Sequence, residues 1–165
     1  MKAALRRLRA ADAEAFRALR LEALTQEPTA FGAAVEEEAR HDAAHFAAWL
    51  EAGLVLGAFA PDGTLLGMAG LRAETAAKRA HIGHVWGVHV REAARGQGIG
   101  RSLVAAVLEA ARGRVTHLRL GVNAGNAPAR RLYEGMGFRV HGTEPAALRV
   151  HGVDHDEVLM HLVLA

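Results

Sequence analysis

Residues 88–102 read V-H-V-R-E-A-A-R-G-Q-G-I-G-R-S and carry three glycines within five positions. An apolar run containing Val85 and Trp86 leads into them and predicts a strand, while residues 103–108 repeat apolar side chains at helical spacing. A strand that turns through glycines into a helix exposes backbone N–H groups at the positive end of the helix dipole. Glycine lets a ligand approach closely because it has no Cβ. The stretch therefore predicts a phosphate-binding loop.

Three kinds of phosphate loop compete with a plain strand-to-helix turn. A Walker loop ends in Gly-Lys-Ser/Thr, whereas Gly100 is followed by Arg101. A dinucleotide fingerprint has G-x-G-x-x-G and an acidic residue about 20 positions later, but residues 112–120 contain no Asp or Glu. The third pattern, R/Q-x-x-G-x-G after a V-x-V strand end, is matched at every position by residues 95–100.

A second block lies about thirty residues downstream. Residues 126–138 read N-A-P-A-R-R-L-Y-E-G-M-G-F and match N-x-x-A-x-x-L-Y-x-x-x-G-F. Together the two blocks resemble the GNAT N-acetyltransferases, most specifically over residues 79–138. The resemblance implies acetyl-CoA as co-substrate and a primary amine as acceptor (a small amine, an amino acid or a peptide N-terminus). The chain has no cysteine to carry an acyl group, so we expect direct attack in a ternary complex.

Composition narrows the class of protein. A length of 165 residues, 51% hydrophobic and 23% charged, predicts one globular domain over residues 1–165. The net charge is +2, basic residues are scattered and aromatic residues are 5%, so we expect no nucleic-acid partner. Apolar runs are too short for a membrane span and no secretory leader is visible, so we expect a cytoplasmic protein. The absence of cysteine and of H-E-x-x-H predicts no metal.

The order of patterns predicts an α/β fold with a mixed, mostly antiparallel sheet flanked by helices. A helix between the strands at 79–90 and 116–122 makes these two strands a parallel pair at the centre of the sheet. The other predicted strands are 2–9, 54–60, 65–72, 138–144, 147–150 and 158–164, with a turn at residues 151–152. Helices are predicted over about 12–25, 42–51, 98–112 and from Asn126 to Gly137.

The resemblance implies how coenzyme A is held. Its pantetheine would lie in a splay between the parallel strands, bonded by backbone groups of Val88 and Val90. Asn126 would bond the pantetheine or its carbonyl, cap its helix, or do both. Arg95 would add positive charge. The N–H groups that would hold the pyrophosphate belong to Gly96, Gln97, Gly98, Ile99, Gly100 and Arg101.

The chemistry needs an acid and a base. Tyr133 is the only tyrosine and stands where the family signature places the acid for the departing thiolate. An alkylamine with a pKa near 10.4 costs about 4.6 kcal/mol to present neutral at pH 7. Many family members use a glutamate on the central strand, but residues 79–90 contain no acid. We predict His84, on the same alternating face as Trp86 and Val88, as the base.

Other interpretations stay open. His81 and His89 should point away from His84 unless a bulge intervenes. Ribosomal-protein acetyltransferases place a glutamate where this chain has Gly121, so the mechanism of that subfamily does not carry over. Glu22 could act as a base through water. Glu22 and residues 36–38 could also meet a cationic substrate, although a solvated helix face explains residues 36–38 better and Glu22 equally well. The alternative function is a non-catalytic acyl-CoA-binding module, and a domain for another nucleotide is a third. A homodimer is common in the family.

Overall fold

The computed structural model describes residues 2–165, which form a seven-stranded sheet in the order β1-β2-β3-β4-β5-β7-β6. The strands are β1 (Ala4–Arg7), β2 (Leu54–Phe59), β3 (Leu65–Ala73), β4 (Ile82–Val90), β5 (His117–Asn123), β6 (Arg139–Val150) and β7 (Val153–Val163). The helices are α1 (Ala13–Gln26), α2 (Val35–Glu38), α3 (Ala43–Ala52), α4 (Ile99–Ala111) and α5 (Ala127–Gly135). The mixed α/β fold predicted from the sequence is confirmed.

The strands β4 and β5 run parallel but pair over a short distance. Their register covers three pairs, from Ile82 opposite His117 to His84 opposite Arg119. Both strands continue beyond these pairs, β4 to Val90 and β5 to Asn123, without pairing to each other. The strands therefore separate at their carboxyl ends, which leaves a gap in the middle of the sheet.

Helices cover the two faces of the sheet unequally. On one face α1 and α3 pack Phe16, Phe46 and Leu50 in a cluster that also includes Trp86 of β4. On the other face α4 buries one apolar side, and Tyr133 of α5 joins the same cluster. Each fully buried Leu, Val or Phe side chain contributes about 1.5–3 kcal/mol. These two clusters fix the strands on either side of the gap.

A bulge in β4 changes which side chains face which layer. Gly70 pairs with Trp86 and Met68 pairs with His89, so two residues of β4 stand opposite Ala69 alone. Gly87 takes the left-handed conformation (φ 64°) that such a bulge favours in glycine. The prediction that Val88 shares a face with Trp86 was therefore wrong, because Val88 packs on the α4 side.

Element boundaries differ from the predictions where turns intervene. The central strand begins at Ile82 rather than residue 79, because residues 76–81 form the turn after β3. β6 is one strand with an irregular register between Glu144 and Leu148, where we expected two segments. The predicted turn at residues 151–152 is confirmed, and both have positive φ, 50° and 76°. Nowhere in residues 2–165 is a helix both long and apolar enough to cross a membrane.

Candidate active site

The loop before α4 presents a row of unbonded backbone donors. Gly96 and Gly98 have φ of 76° and 77°, in the left-handed region that glycine occupies without strain. The first bond of the helix runs from the N–H of Ser102 to the carbonyl of Gly98, at 3.0 Å. The six N–H groups of residues 96–101 have no acceptor within residues 2–165. These N–H groups lie at the N-terminal end of α4, a helix of 13 residues whose dipole favours an anion at this end.

Arg95 is held beside this loop. Its Nε donates to the carbonyl of Val90 at 2.9 Å, and its Nη2 donates to Oε1 of Glu27 at 3.1 Å. The first contact takes a carbonyl at the end of β4, and the second ties the loop to the end of α1. The Arg95 guanidinium is thereby fixed at the mouth of the gap between β4 and β5.

A cavity of about 420 Å³ runs from the loop into the gap. Its walls include Val88 and Val90 of β4, Asn126, and Tyr133 of α5. A smaller cavity of about 90 Å³ continues it between the strands and shares Val88, Asn126 and Tyr133. The structure therefore brings the loop and the two α5 residues predicted from the sequence to one continuous space.

Asn126 and Tyr133 lie on the α5 side of that space. The Asn126 side chain accepts from the N–H of Ala129 at 3.2 Å, so it caps α5 as predicted. The Tyr133 ring is buried at 8% exposure and packs edge-on against Phe138. Burial raises the pKa of Tyr133 to about 12, so the phenol keeps its proton at neutral pH. Tyr133 lines both cavities, and its hydroxyl has a proton to donate.

A wider cleft of about 580 Å³ adjoins the gap on the α1 side of the sheet. It shares Phe31, Trp86 and Gly121 with the small cavity, so the three spaces lie next to one another from the loop to the surface. Stacked rings of Trp49 and Trp86, 5.1 Å apart, line a further cavity of about 680 Å³ beside it. The charged or titratable residues of the cleft are Arg20, Arg72, His84, Arg119, His141 and Glu157.

His84 lies in this cleft and is held by a carboxylate. Its Nε2 is 2.8 Å from Oε1 of Glu74, which also accepts from Nη2 of Arg79 at 2.9 Å. Arg79 and, second, His84 lower the pKa of Glu74 to about 2, so that carboxyl is ionised at neutral pH. The sequence did not predict the contact between Glu74 and His84. The segment between β3 and β4 brings these two residues together only when it folds into a turn.

Comparison with known proteins decides the family. A family model described as the acetyltransferase (GNAT) family matches residues 5–138. The chain belongs to the GNAT acetyltransferases.

Individual relatives agree with that family. A mycothiol acetyltransferase of Acidothermus cellulolyticus is 45% identical over 64 residues, which are 38% of this GNAT chain and 20% of that longer protein. The ribosomal-protein-alanine N-acetyltransferase structure of Brucella melitensis is 28% identical, with a TM-score of 0.85 over 98% of this chain and 99% of that one. The yncA structure of Salmonella typhimurium, solved with its cofactor acetyl-CoA, has a TM-score of 0.87 at 23% identity, over 100% and 95% of the two chains.

Glu157 is a cleft residue that the sequence did not predict. It lies on β7 opposite Asn123 of β5, and its side chain reaches over Gly121. A Cβ at Gly121 would be 3.2 Å from Oε1 and 3.4 Å from Cδ of Glu157. Burial, and then the nearby charge of Glu144, raise the pKa of Glu157. The pairing of β5 with β7, which brings Glu157 to Gly121, has no local signature in the sequence.

The other acidic candidates are compensated by arginines. Glu22 accepts from Arg91, and Glu38 of the acidic run forms two hydrogen bonds with the buried Arg20, at 2.8 and 2.9 Å. These partners give Glu22 and Glu38 structural roles between α1, α2 and β4.

His89 is buried, and the rings of His41 and His45 stack on each other. The bulge turns His89 toward α1, where its Nδ1 lies 3.2 Å from Oε2 of Glu27, and burial lowers its pKa. The sequence predicted that His89 points away from His84 unless a bulge intervenes, and the bulge at Gly87 does intervene. His41 and His45 have a four-residue spacing that can bind zinc, but their rings stack 3.8 Å apart. Within residues 2–165, no group of three or more His, Cys, Asp or Glu is placed to hold a metal.

Proposed function

We propose that this GNAT protein transfers the acetyl group of acetyl-CoA to a primary amine by direct attack in a ternary complex. The observation that carries the proposal is the path of three adjoining cavities from the amides of residues 96–101, past Tyr133, to the cleft. A diphosphate fits the open end of this path, since six amides and a helix dipole converge there. The acceptor fits the cleft at the other end.

Residues along the path have separate tasks. The amides of residues 96–101 hold the pyrophosphate, and Arg95 adds a positive charge that Glu27 keeps in place. Beyond His84, the edge of β4 that faces β5 pairs with no strand within residues 2–165, so the backbone of Val88 and Val90 can bond an extended ligand as β5 would. Asn126, besides capping α5, faces the same space and can bond the pantetheine.

Tyr133 is the acid of the reaction. Bound acetyl-CoA supplies an acetyl group activated as a thioester. The thiol that leaves has a pKa near 8.5, so a positioned phenol that donates a proton to its sulfur assists the departure. The buried position of Tyr133 keeps that phenol neutral until it is needed. The acceptor amine must also lose a proton to a base. The sequence predicted His84 for that step, and Glu74 orients its ring.

The charge of the cleft favours an acceptor that carries an anionic group. Arg72 and Arg119 stand on either side of His84 in register on β3 and β5, and all three line the cleft. Neither arginine has a carboxylate partner within residues 2–165. Guanidinium groups pair well with carboxylates and phosphates. An amino acid or a small peptide therefore fits the cleft better than a simple alkylamine.

The test is a thiol-release assay with acetyl-CoA and a panel of acceptors. L-Alanine and ethylamine form the decisive pair, because they differ by one carboxylate, and dialanine and putrescine extend the panel. We expect thiol release above background, with kcat/KM at least about tenfold higher for an anionic acceptor, since one charged hydrogen bond contributes about 1.5–3 kcal/mol. Release at background rate with every acceptor, despite tight coenzyme A binding, would favour the non-catalytic binding module instead.

A further inference from the structure

We propose that Glu157 of β7 is the general base that takes the proton from the acceptor amine. The inference rests on the proposed function and adds a catalytic residue to its site. Residues 82–90 of β4 contain no Asp or Glu, and β5 has glycine at position 121, so neither position supplies a carboxylate base.

The neighbouring strand β7 brings the carboxylate of Glu157 to Gly121. Gly121 has no side chain, and the carboxylate of Glu157 occupies the space beside its Cα, 3.2–3.4 Å from where a Cβ would be. Gly121 borders both the small cavity between the strands and the wide cleft. The Glu157 carboxylate therefore lies where the acceptor space meets the space that leads to Tyr133.

The absence of a basic partner leaves this carboxylate able to accept a proton. Each of four other acids around the site is bonded to an arginine: Glu22 with Arg91, Glu27 with Arg95, Glu38 with Arg20 and Glu74 with Arg79. Glu157 has no such ion pair within residues 2–165. Burial and the like charge of Glu144 raise its pKa, which brings its proton affinity closer to that required of a base near neutral pH.

His84 is less suitably placed for the same step. Its Nε2 is committed to Glu74 at 2.8 Å. Its register partner on β5 is Arg119, two residues before Gly121, so it stands among the arginines rather than beside the gap. This position suits His84 for binding the anionic part of the acceptor.

Glu157 removes one proton from the ammonium form of the acceptor and later releases it to solvent. The nitrogen lone pair forms the new N–C bond at the thioester carbonyl, and the C–S bond breaks with its electron pair on sulfur. Tyr133 protonates the sulfur and recovers a proton through water from the nitrogen, which loses its second proton as the amide forms. The products are the acetylated amine, the free thiol and one proton.

The experiment compares Glu157→Gln with two further variants, using acetyl-CoA and the acceptor that the panel identifies. For Glu157→Gln we expect kcat/KM for the acceptor to fall about 100-fold or more, with the Kd for acetyl-CoA within about twofold of the unmodified protein. Glu144→Gln removes the facing like charge, so it should keep its rate at pH 8 while the acidic limb of its pH–rate profile moves to lower pH. Gly121→Ala should stay folded and lose about tenfold in rate, because the new methyl group displaces the carboxylate.

Charged groups other than Glu157 also affect the pH profile. The groups that face or flank Glu157 in the cleft are Glu144 and His141 on β6, Arg119 on β5, His84 on β4, Arg72 on β3 and Arg20 on α1. The matched arm is His84→Ala. If Glu157 is the base, the acidic limb persists in His84→Ala and disappears in Glu157→Gln.

The role of Glu157 and the proposed acetyltransferase activity would be overturned by different results. A rate for Glu157→Gln within about twofold of the unmodified protein, or an acidic limb lost only in His84→Ala, would overturn the role of Glu157 and leave the acetyltransferase proposal standing. An unmodified protein that releases no thiol with any acceptor would overturn the proposed function itself. Circular dichroism and the Kd for acetyl-CoA report whether each variant is folded.

Discussion

Replacing Gly96 by alanine separates strain in the loop from loss of the ligand. Gly96 has φ of 76°, and an added Cβ would meet no atom within 4 Å. Gly113, after α4, has the same φ and the same open surroundings but lies outside the loop. The two substitutions therefore carry the same conformational cost, and only one of them places a methyl group beside the phosphate-binding amides.

Gly96→Ala and Gly113→Ala should lose the same stability but differ in their affinity for coenzyme A. A non-glycine residue in the left-handed region costs about 1–2 kcal/mol, partly offset by the stiffer unfolded chain of the alanine variant. We expect each variant to lose about 1 kcal/mol of unfolding free energy, a fall of about 2–4 °C in Tm for a chain of this size. Gly96→Ala should also lose one charged amide–phosphate bond, worth about 1.5–3 kcal/mol, or about 10- to 150-fold in Kd.

The assay is thermal unfolding together with calorimetric titration of coenzyme A into both variants. We expect equal falls in Tm and a weaker Kd in Gly96→Ala alone. Equal affinities in the two variants would refute the assignment of the loop as the diphosphate site, because the loss of stability would then have no counterpart in binding.

Three further predictions test other parts of the molecule. Tyr133→Phe should lower kcat by about 100-fold or more with an unchanged Kd for acetyl-CoA, because the phenol acts on the leaving group; undiminished turnover removes it from the mechanism. Glu38→Gln leaves the buried Arg20 without its charge partner and should cost about 3 kcal/mol in urea unfolding, against a negligible change for exposed Glu36→Gln; equal effects would contradict the buried pair. His89 has a pKa lowered by burial, so the unfolded chain binds its proton more readily and stability should fall as the pH drops below about 6.5. His89→Gln should flatten the difference in unfolding free energy between pH 5 and 7, and an unchanged difference would contradict this.

The sequence predicted those parts of the site that lie within one local segment. The loop at residues 95–101 and the cap at Asn126 depend on glycine, on side-chain oxygen and on spacing within a few residues, all of which are visible in one dimension. The parallel pair followed from the helix between its strands. The same local reasoning predicted the turn at residues 151–152, where both residues have positive φ.

The parts that it missed depend on contacts between strands. The bulge at Gly87 inverts the alternation of β4, so the faces of Val88 and His89 could not be inferred from counting by two. Glu74 reaches His84 across a turn, and Glu157 reaches Gly121 from the next strand. These contacts depend on the register between strands, which no single segment encodes.

The central claim is that residues 96–101 bind the diphosphate of acetyl-CoA while its thioester lies beside Tyr133. A crystal structure of the protein grown with acetyl-CoA tests it most directly. We expect the diphosphate oxygens within hydrogen-bonding distance of those amides, the pantetheine between β4 and β5, and the sulfur next to the Tyr133 hydroxyl. A nucleotide bound elsewhere, or a sulfur far from that hydroxyl, would contradict the account.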